Sequence, residues 1–348
     1  MKNLFVFLCL VPMVCNSQSV KDSILMRERS IDRPITLHKG QLRIEGGYGL
    51  SAITKRFDDD GDKINLRDEG LSYVRHTWYV DLRYGIVENL HIQVSTNYRR
   101  QAQRIQQLLT VNASEFTELF EIQNRTGLED LVVTLSGRAP LKTKMVDLVA
   151  TGGIYLPLGQ TQSGKPEHSI SVDDSSPGIT FRNITYRYYS NWGNGSPMAT
   201  FGGTVKVRTK DFAFTGSVLY DQSLGEGEET SWQHQLVNNK FEYQRETYTY
   251  QSPNRISFTA EIERQLAPWF DLSLIFQSEQ SKGGWDEGNG IKYSRPEANL
   301  YTFNPGYEIL VTPKIWLRQR LGVTLAGKNV EAPFSIYTSL VYNFFPFN

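Results

Sequence analysis

Leu90-His91-Ile92-Gln93-Val94-Ser95-Thr96-Asn97-Tyr98 is the stretch whose reading decides the fold. Leu90, Ile92, Val94, Thr96 and Tyr98 fall on one side of an extended chain, and His91, Gln93, Ser95 and Asn97 on the other. Successive side chains of a strand point to opposite faces, so a period of two marks β structure. The same period recurs far along the chain. Ile256, Phe258, Ala260 and Ile262 alternate with Ser257, Thr259, Glu261 and Glu263, and Phe270, Leu272, Leu274 and Phe276 oppose Asp271, Ser273 and Gln277. Ile315, Leu317, Leu321, Val323 and Leu325 face away from Trp316, Arg318, Arg320, Gly322 and Thr324. An apolar face backed by a charged one fits two architectures. A transmembrane barrel turns the apolar face out to lipid and encloses the polar one. A soluble antiparallel sandwich uses the opposite sense, and alternation alone does not separate the two.

Loop lengths do. Strands are expected near 40–57, 71–85, 89–101, 127–139, 146–157, 197–208, 212–223, 254–266, 269–281, 299–312, 314–327 and 334–346. The connections alternate, except that the last outer one, about 328–333, is short. Long ones span about 58–70, 102–126, 158–196, 224–253 and 282–298, and short ones are Ile86-Val87-Glu88, 140–145, Thr209-Lys210-Asp211, Ala267-Pro268 and Pro313. Outer-membrane barrels have short periplasmic turns and long extracellular loops, and a sandwich has no reason to sort its loops this way. The expected lengths also suit tilted spanning strands of ~9–11 residues. The expectation is an all-β transmembrane antiparallel β-barrel of twelve strands over 40–348. Gly178 to Tyr189 and Phe241 to Tyr250 also alternate; they either extend hairpins beyond the membrane or raise the count to fourteen. The spacing of Leu108, Leu109, Phe116, Leu119 and Phe120 predicts a short helix within 106–122.

Composition agrees. Lys+Arg and Asp+Glu each number 37 in 348 residues, so no basic excess points to nucleic acid. Met1-Lys2-Asn3, the apolar run Leu4 to Val14 and then Asn16-Ser17 read as a signal peptide over 1–17, cleaved before Gln18. Both cysteines, Cys9 and Cys15, lie in it, leaving a thiol-free mature chain. Beyond the leader no apolar run is long enough for a transmembrane helix, so only a closed barrel could span a bilayer. Residues 18–39 read as a periplasmic lead-in of mixed charge. The expected location is the outer membrane of a Gram-negative cell, among its lipid and lipopolysaccharide. A last strand that ends on aromatics, Phe344 to Phe347, suits the barrel-assembly machinery.

The enclosed face is expected to carry Arg43, Glu45, Arg75, Asp81, Arg83, His91, Arg99, Asp130, Arg138, Lys206, Arg208, Asp221, Glu261, Glu263, Asp271, Arg318 and Arg320. Such charges either line an aqueous path or pair off and fill a narrow interior. Asp58, Asp60 and Asp62 take the first, third and fifth places of a calcium loop, but Gly61 stands fourth rather than sixth; the segment reads as a solvated acidic turn. His38, His76, His91, His168 and His234 lack zinc spacing, and no Gly-x-Ser-x-Gly elbow occurs. No metal, cofactor or catalytic centre is expected.

Several segments resemble a known family. Ile31-Asp32-Arg33-Pro34 followed by Gln41-Leu42-Arg43-Ile44-Glu45-Gly46-Gly47-Tyr48 resembles the opening of outer-membrane proteins in the "MetA-pathway of phenol degradation" family. Tyr84-Gly85-Ile86-Val87-Glu88-Asn89-Leu90 resembles its first periplasmic turn, Gly127-Leu128-Glu129-Asp130-Leu131 a strand start, and Leu156-Pro157-Leu158-Gly159 a strand end. Glu129 stands where the family has glycine. The resemblance covers most of the mature chain in order. It implies a small barrel distantly similar to the long-chain fatty-acid transporter type, passing small hydrophobic or aromatic compounds. The alternatives are a structural or adhesive surface barrel and a barrel lipid hydrolase.

Overall fold

In the computed structural model, residues 31, 33–68, 71–112, 115–143, 145–159, 184–188, 195–237, 240–288 and 291–346 are described. The expected leader, 1–17, and the stretch 18–30 lie outside them. Among the described residues, twelve antiparallel strands run in chain order round a closed barrel. They are β1 (Leu42–Phe57), β2 (Leu71–Val87), β3 (Leu90–Asn112), β4 (Leu131–Arg138), β5 (Val146–Leu156), β6 (Met198–Arg208), β7 (Phe212–Ser223), β8 (Asn254–Ala267), β9 (Phe270–Lys282), β10 (Ala298–Thr312), β11 (Ile315–Lys328) and β12 (Val330–Phe344). Each pairs with the next. The ring closes where β1 meets β12, from Leu42↔Phe344 to Phe57↔Val330, with one register shift between Ile53 and Arg56. A closed ladder leaves no edge whose N–H and C=O groups would face hydrocarbon unpaired.

Burial settles the choice that alternation left open. Val80 is 47% exposed and its neighbour Asp81 7%. Leu82, Phe201, Leu274, Phe276, Phe334 and Leu340 are likewise exposed, while Glu45, Lys206 and Asp271 are buried. A soluble sandwich would invert this. Aromatic rings collect at both ends of the apolar band, as membrane-interface girdles do. Tyr48, Trp78 and Tyr98 stand in register across β1, β2 and β3, with successive ring centroids 5.5 and 5.7 Å apart. At the short-turn end, Trp269 and Phe270 lie 5.6 Å apart, and Tyr342 and Phe344 4.8 Å.

The long connections carry further β structure. Gly227–Val237 and Lys240–Gln251 form a hairpin that continues through Trp285–Gly288 and Ile291–Ser294 into a separate four-stranded sheet. Phe241 to Tyr250 therefore extends a hairpin and adds no strand to the barrel. Of Gly178 to Tyr189, only Ile184–Tyr188 falls within the described residues; it pairs in parallel with Glu121–Arg125. The helix expected within 106–122 is a β-hairpin instead. The end of β3 continues outward and returns as Glu115–Leu128, in register from Tyr98↔Leu128 to Asn112↔Glu115. Extending an existing ladder adds one register pair at a time, whereas a helix must pay for nucleation.

At the other end the chain enters the barrel. Gly40 N–H donates to Gly85 C=O at 2.7 Å, and Gly85 N–H to Gln41 C=O at 2.9 Å. A Cβ on Gly85 would stand 1.9 Å from the His38 carbonyl oxygen, so the close approach depends on glycine. Gly85→Val is expected to displace the lead-in at a cost of ~1–3 kcal/mol, leaving the barrel folded. Limited proteolysis of the detergent-refolded protein checks this: cleavage N-terminal to Gly40 should accelerate while the heat-modifiable gel band persists.

Candidate functional site

The barrel interior is the candidate site, and it has two storeys. At the short-turn end, residues 31 and 33–41 lie against inward-facing side chains of the wall. Arg208 on β6 donates from Nε to the Ile31 carbonyl at 3.1 Å and from Nη2 to the Arg33 carbonyl at 2.9 Å. Lys206 Nζ reaches the same Arg33 oxygen at 3.4 Å, and Ile35 N–H donates to Asp147 Oδ2 at 3.2 Å. The Arg33 guanidinium stacks 3.7 Å from the Trp316 ring centroid and donates to Glu308 Oε1 at 3.3 Å. Ile31, Thr36 and Leu37 are buried there. A strand-free backbone inside a barrel needs partners for its polar groups, and the charged wall supplies them.

Above this lies an open chamber of about 910 Å³. Glu45, Arg75, Asp81, Arg99, Arg318 and Arg320 line it together with Tyr79, Tyr337 and Gln277. The charges are cross-linked over the wall. Arg318 donates from Nε to Glu308 Oε2 at 2.6 Å and from Nη1 to Glu45 Oε2 at 2.9 Å. Ser339 Oγ donates to Glu45 Oε1 at 2.8 Å. Arg83 Nε holds Asp81 Oδ1 at 2.8 Å, Arg75 Nη2 holds Glu331 at 2.7 Å, and Arg99 Nη1 holds Glu129 at 2.6 Å. Arg320 lies 3.7 Å from Glu261, and Lys206 3.5 Å from Glu263. The two interiors weighed from the sequence therefore coexist: the charges pair extensively, and space remains between them.

Of the expected enclosed charges, Arg43, Glu45, Arg75, Asp81, Arg83, Arg99, Lys206, Glu261, Glu263, Asp271, Arg318 and Arg320 line one storey or both. His91, Asp130 and Arg208 are buried but lie outside the two cavity walls. Arg208 binds the lead-in and Asp147; Arg138 bonds Asn89 and Asp147. Asp221 pairs with Arg255 at 2.6 Å, with Tyr155 3.4 Å from the same carboxylate oxygen. Sequence reading missed Glu308, Asp147, Arg255 and Trp316 as partners, and Arg33 as an inward residue. Glu308 shares the parity of Thr302 and Asn304, opposite Tyr301, Phe303 and Tyr307. The other partners fall at inward parity, a signal that was present and went unused.

The acidic turn behaves as a capped turn. Asp58 Oδ1 accepts from Asp60 N–H at 3.0 Å and Asp62 N–H at 2.8 Å, with Gly61 at φ +85°. The Asn329 amide and the Lys328 ammonium hold the exposed Asp59 carboxyl below its usual range.

No family model matches the sequence, and no curated protein sequence matches it. Solved structures do. The COG4313 outer membrane channel from Pseudomonas putida F1 superposes with a TM-score of 0.56 at 15% identity, covering 90% of this chain and 99% of that one. The fold is that of an outer-membrane β-barrel. The toluene transporter TodX from Pseudomonas putida shows a looser likeness, with a TM-score of 0.42 at 10% identity, covering 92% of this chain and 93% of that one.

A carboxylate fastens the lead-in to the first short turn. Glu88 Oε1 lies 2.9 Å from His38 Nδ1, and its Oε2 accepts Lys39 N–H at 3.3 Å. Partial burial pushes the Glu88 carboxyl up, and the His38 and Lys39 bonds outweigh this, leaving it below the usual value. A depressed carboxylate contributes stability above its unfolded pKa of ~4.3 and loses it as pH falls through the lower folded value. Proteolysis of the lead-in should therefore accelerate on acidification below that range. Glu88→Gln should show the faster cleavage already at neutral pH, with a flatter response to acid.

Proposed function

We propose that the chain is a passive outer-membrane channel for small molecules, with aromatic or amphiphilic compounds as its cargo. The observation that carries this reading is the chamber of about 910 Å³ enclosed by a complete ring of strands whose outer face is apolar. A structural or adhesive barrel has no need of such a space. The wall mixes guanidinium groups with Tyr79, Tyr337 and, at the lower storey, Trp316. That chemistry suits solutes with a flat ring and a polar or charged end better than saturated hydrocarbons.

The leader 1–17 is cleaved on export in this reading, and the assembly machinery inserts the barrel with its short turns in the periplasm. Ile31 and residues 33–39 then narrow the periplasmic mouth. The protein acts by lining a path and carries no catalytic role.

Planar-bilayer recording tests the proposal. The refolded full-length protein should conduct ions, and liposomes containing it should admit benzenesulfonate faster than empty liposomes. A variant lacking residues 18–39 should conduct more, because the strap that narrows the lower storey is gone. A barrel that neither conducts nor passes solute, with or without the strap, would return the reading to a surface-structural protein.

A further inference from the structure

The lower storey holds a cavity of about 210 Å³ whose wall carries six cationic side chains, Arg33, Arg43, Arg83, Lys206, Arg318 and Arg320, and four carboxylates. Five of the six have a carboxylate within reach. Arg33 has Glu308, Arg83 has Asp81, Lys206 has Glu263, Arg318 has Glu45 and Glu308, and Arg320 has Glu261. Arg43 has none among the described residues. Its Nε donates to Asn343 Oδ1 at 2.8 Å, and its guanidinium carbon lies 5.3 Å from the Trp316 ring centroid.

The surroundings of Arg43 are cationic. It faces Arg83 directly across β1 and β2 in the strand register. Arg33 and Arg318 share the same indole, at 3.7 and 5.9 Å from its centroid. Three guanidinium groups thus gather round one ring. A guanidinium offers five N–H donors in a planar fork that matches a carboxylate in two parallel bonds. Asn343 takes one of those on Arg43. An unpaired charge in a partly desolvated wall costs free energy unless an anion compensates it.

We infer that Arg43, backed by Trp316, is a binding site for a small organic monocarboxylate. The carboxylate takes the unused edge of the Arg43 fork, and the organic part rests against Trp316, which lines the same cavity. A monoanion is favoured because Glu45, Glu308 and Asp81 sit on the neighbouring guanidiniums and repel a second negative charge. The cavity, smaller than the ~300 Å³ of ordinary ligand pockets, selects fragment-sized molecules. The inference rests on the channel reading for its biological meaning and names the cargo class of that channel.

Equilibrium dialysis of the full-length protein refolded in detergent tests it, with benzoate as the probe, benzyl alcohol as its neutral counterpart and phthalate as a dianion. Benzoate should bind, with benzyl alcohol and phthalate roughly tenfold or more weaker. Arg43→Gln should lose benzoate binding. Arg43→Lys keeps the charge without the fork and should bind with intermediate strength, so a folding failure of the first variant leaves the test standing. Equal binding of benzyl alcohol, or a lysine variant that binds benzoate as tightly as the native chain, overturns the site. Conductance is read separately: a barrel that conducts but ignores benzoate sinks only the site, and one that binds benzoate but neither conducts nor passes solute sinks only the channel.

Discussion

Everything in this structure follows from the requirement that a backbone in hydrocarbon satisfy its own hydrogen bonds. Twelve strands meet it only because β1 returns to β12; an open sheet of the same strands would leave two unpaired edges in lipid. Closure in turn creates an inside. Once the apolar face is committed to lipid, every residue of the other parity is enclosed, and the chain must choose side chains for a space that water can enter. It places charges there. Asp81 is 7% exposed and Val80 47% for this reason.

Enclosed charges in a wetted space contribute little stability pair by pair. Exposed ion pairs are worth ~0–1 kcal/mol each, and only the more desolvated ones much more. The network around Arg318, Glu308 and Glu45 is therefore better understood as holding side chains to the wall than as holding the barrel together. Arg318 bridges Glu308 on β10 and Glu45 on β1 across intervening β11 and β12. Bridges of that kind lay long side chains along the surface. The chamber above them stays open because its charges reach sideways.

The barrel was legible in the sequence because it obeys a period of two nearly everywhere. The twelve expected strands correspond to the twelve observed, with the ends of β7, Phe212 and Ser223, coinciding. Legibility failed where tertiary context overrides local pattern. The stretch 106–122 has helical spacing, but it leaves the membrane already paired, and the hairpin wins. Inward parity identified most lumen charges. It could not say which would pair, since partners such as Arg33 and Glu308 are 275 residues apart. The inward course of residues 33–41 has no periodic signature; the sole local hint was Gly85, whose missing side chain makes room for the His38 carbonyl.

The lead-in and the wall explain each other. A segment without regular structure cannot satisfy its own carbonyls, so it can lie inside a barrel only where donors await it. Arg208 and Lys206 provide them for Ile31 and Arg33, and Asp147 provides an acceptor for Ile35. Those side chains sit at the short-turn ends of their strands. The same residues deeper in the barrel would meet the chamber and not the strap. The strap also spends carboxylates: Glu308 divides itself between Arg33 and Arg318. Arg43 shares the Trp316 ring with Arg33 and Arg318, and it is those two that hold Glu308. Threading the lead-in through the mouth thus divides one carboxylate between two guanidiniums and, among the described residues, leaves Arg43 without an ion-pair partner.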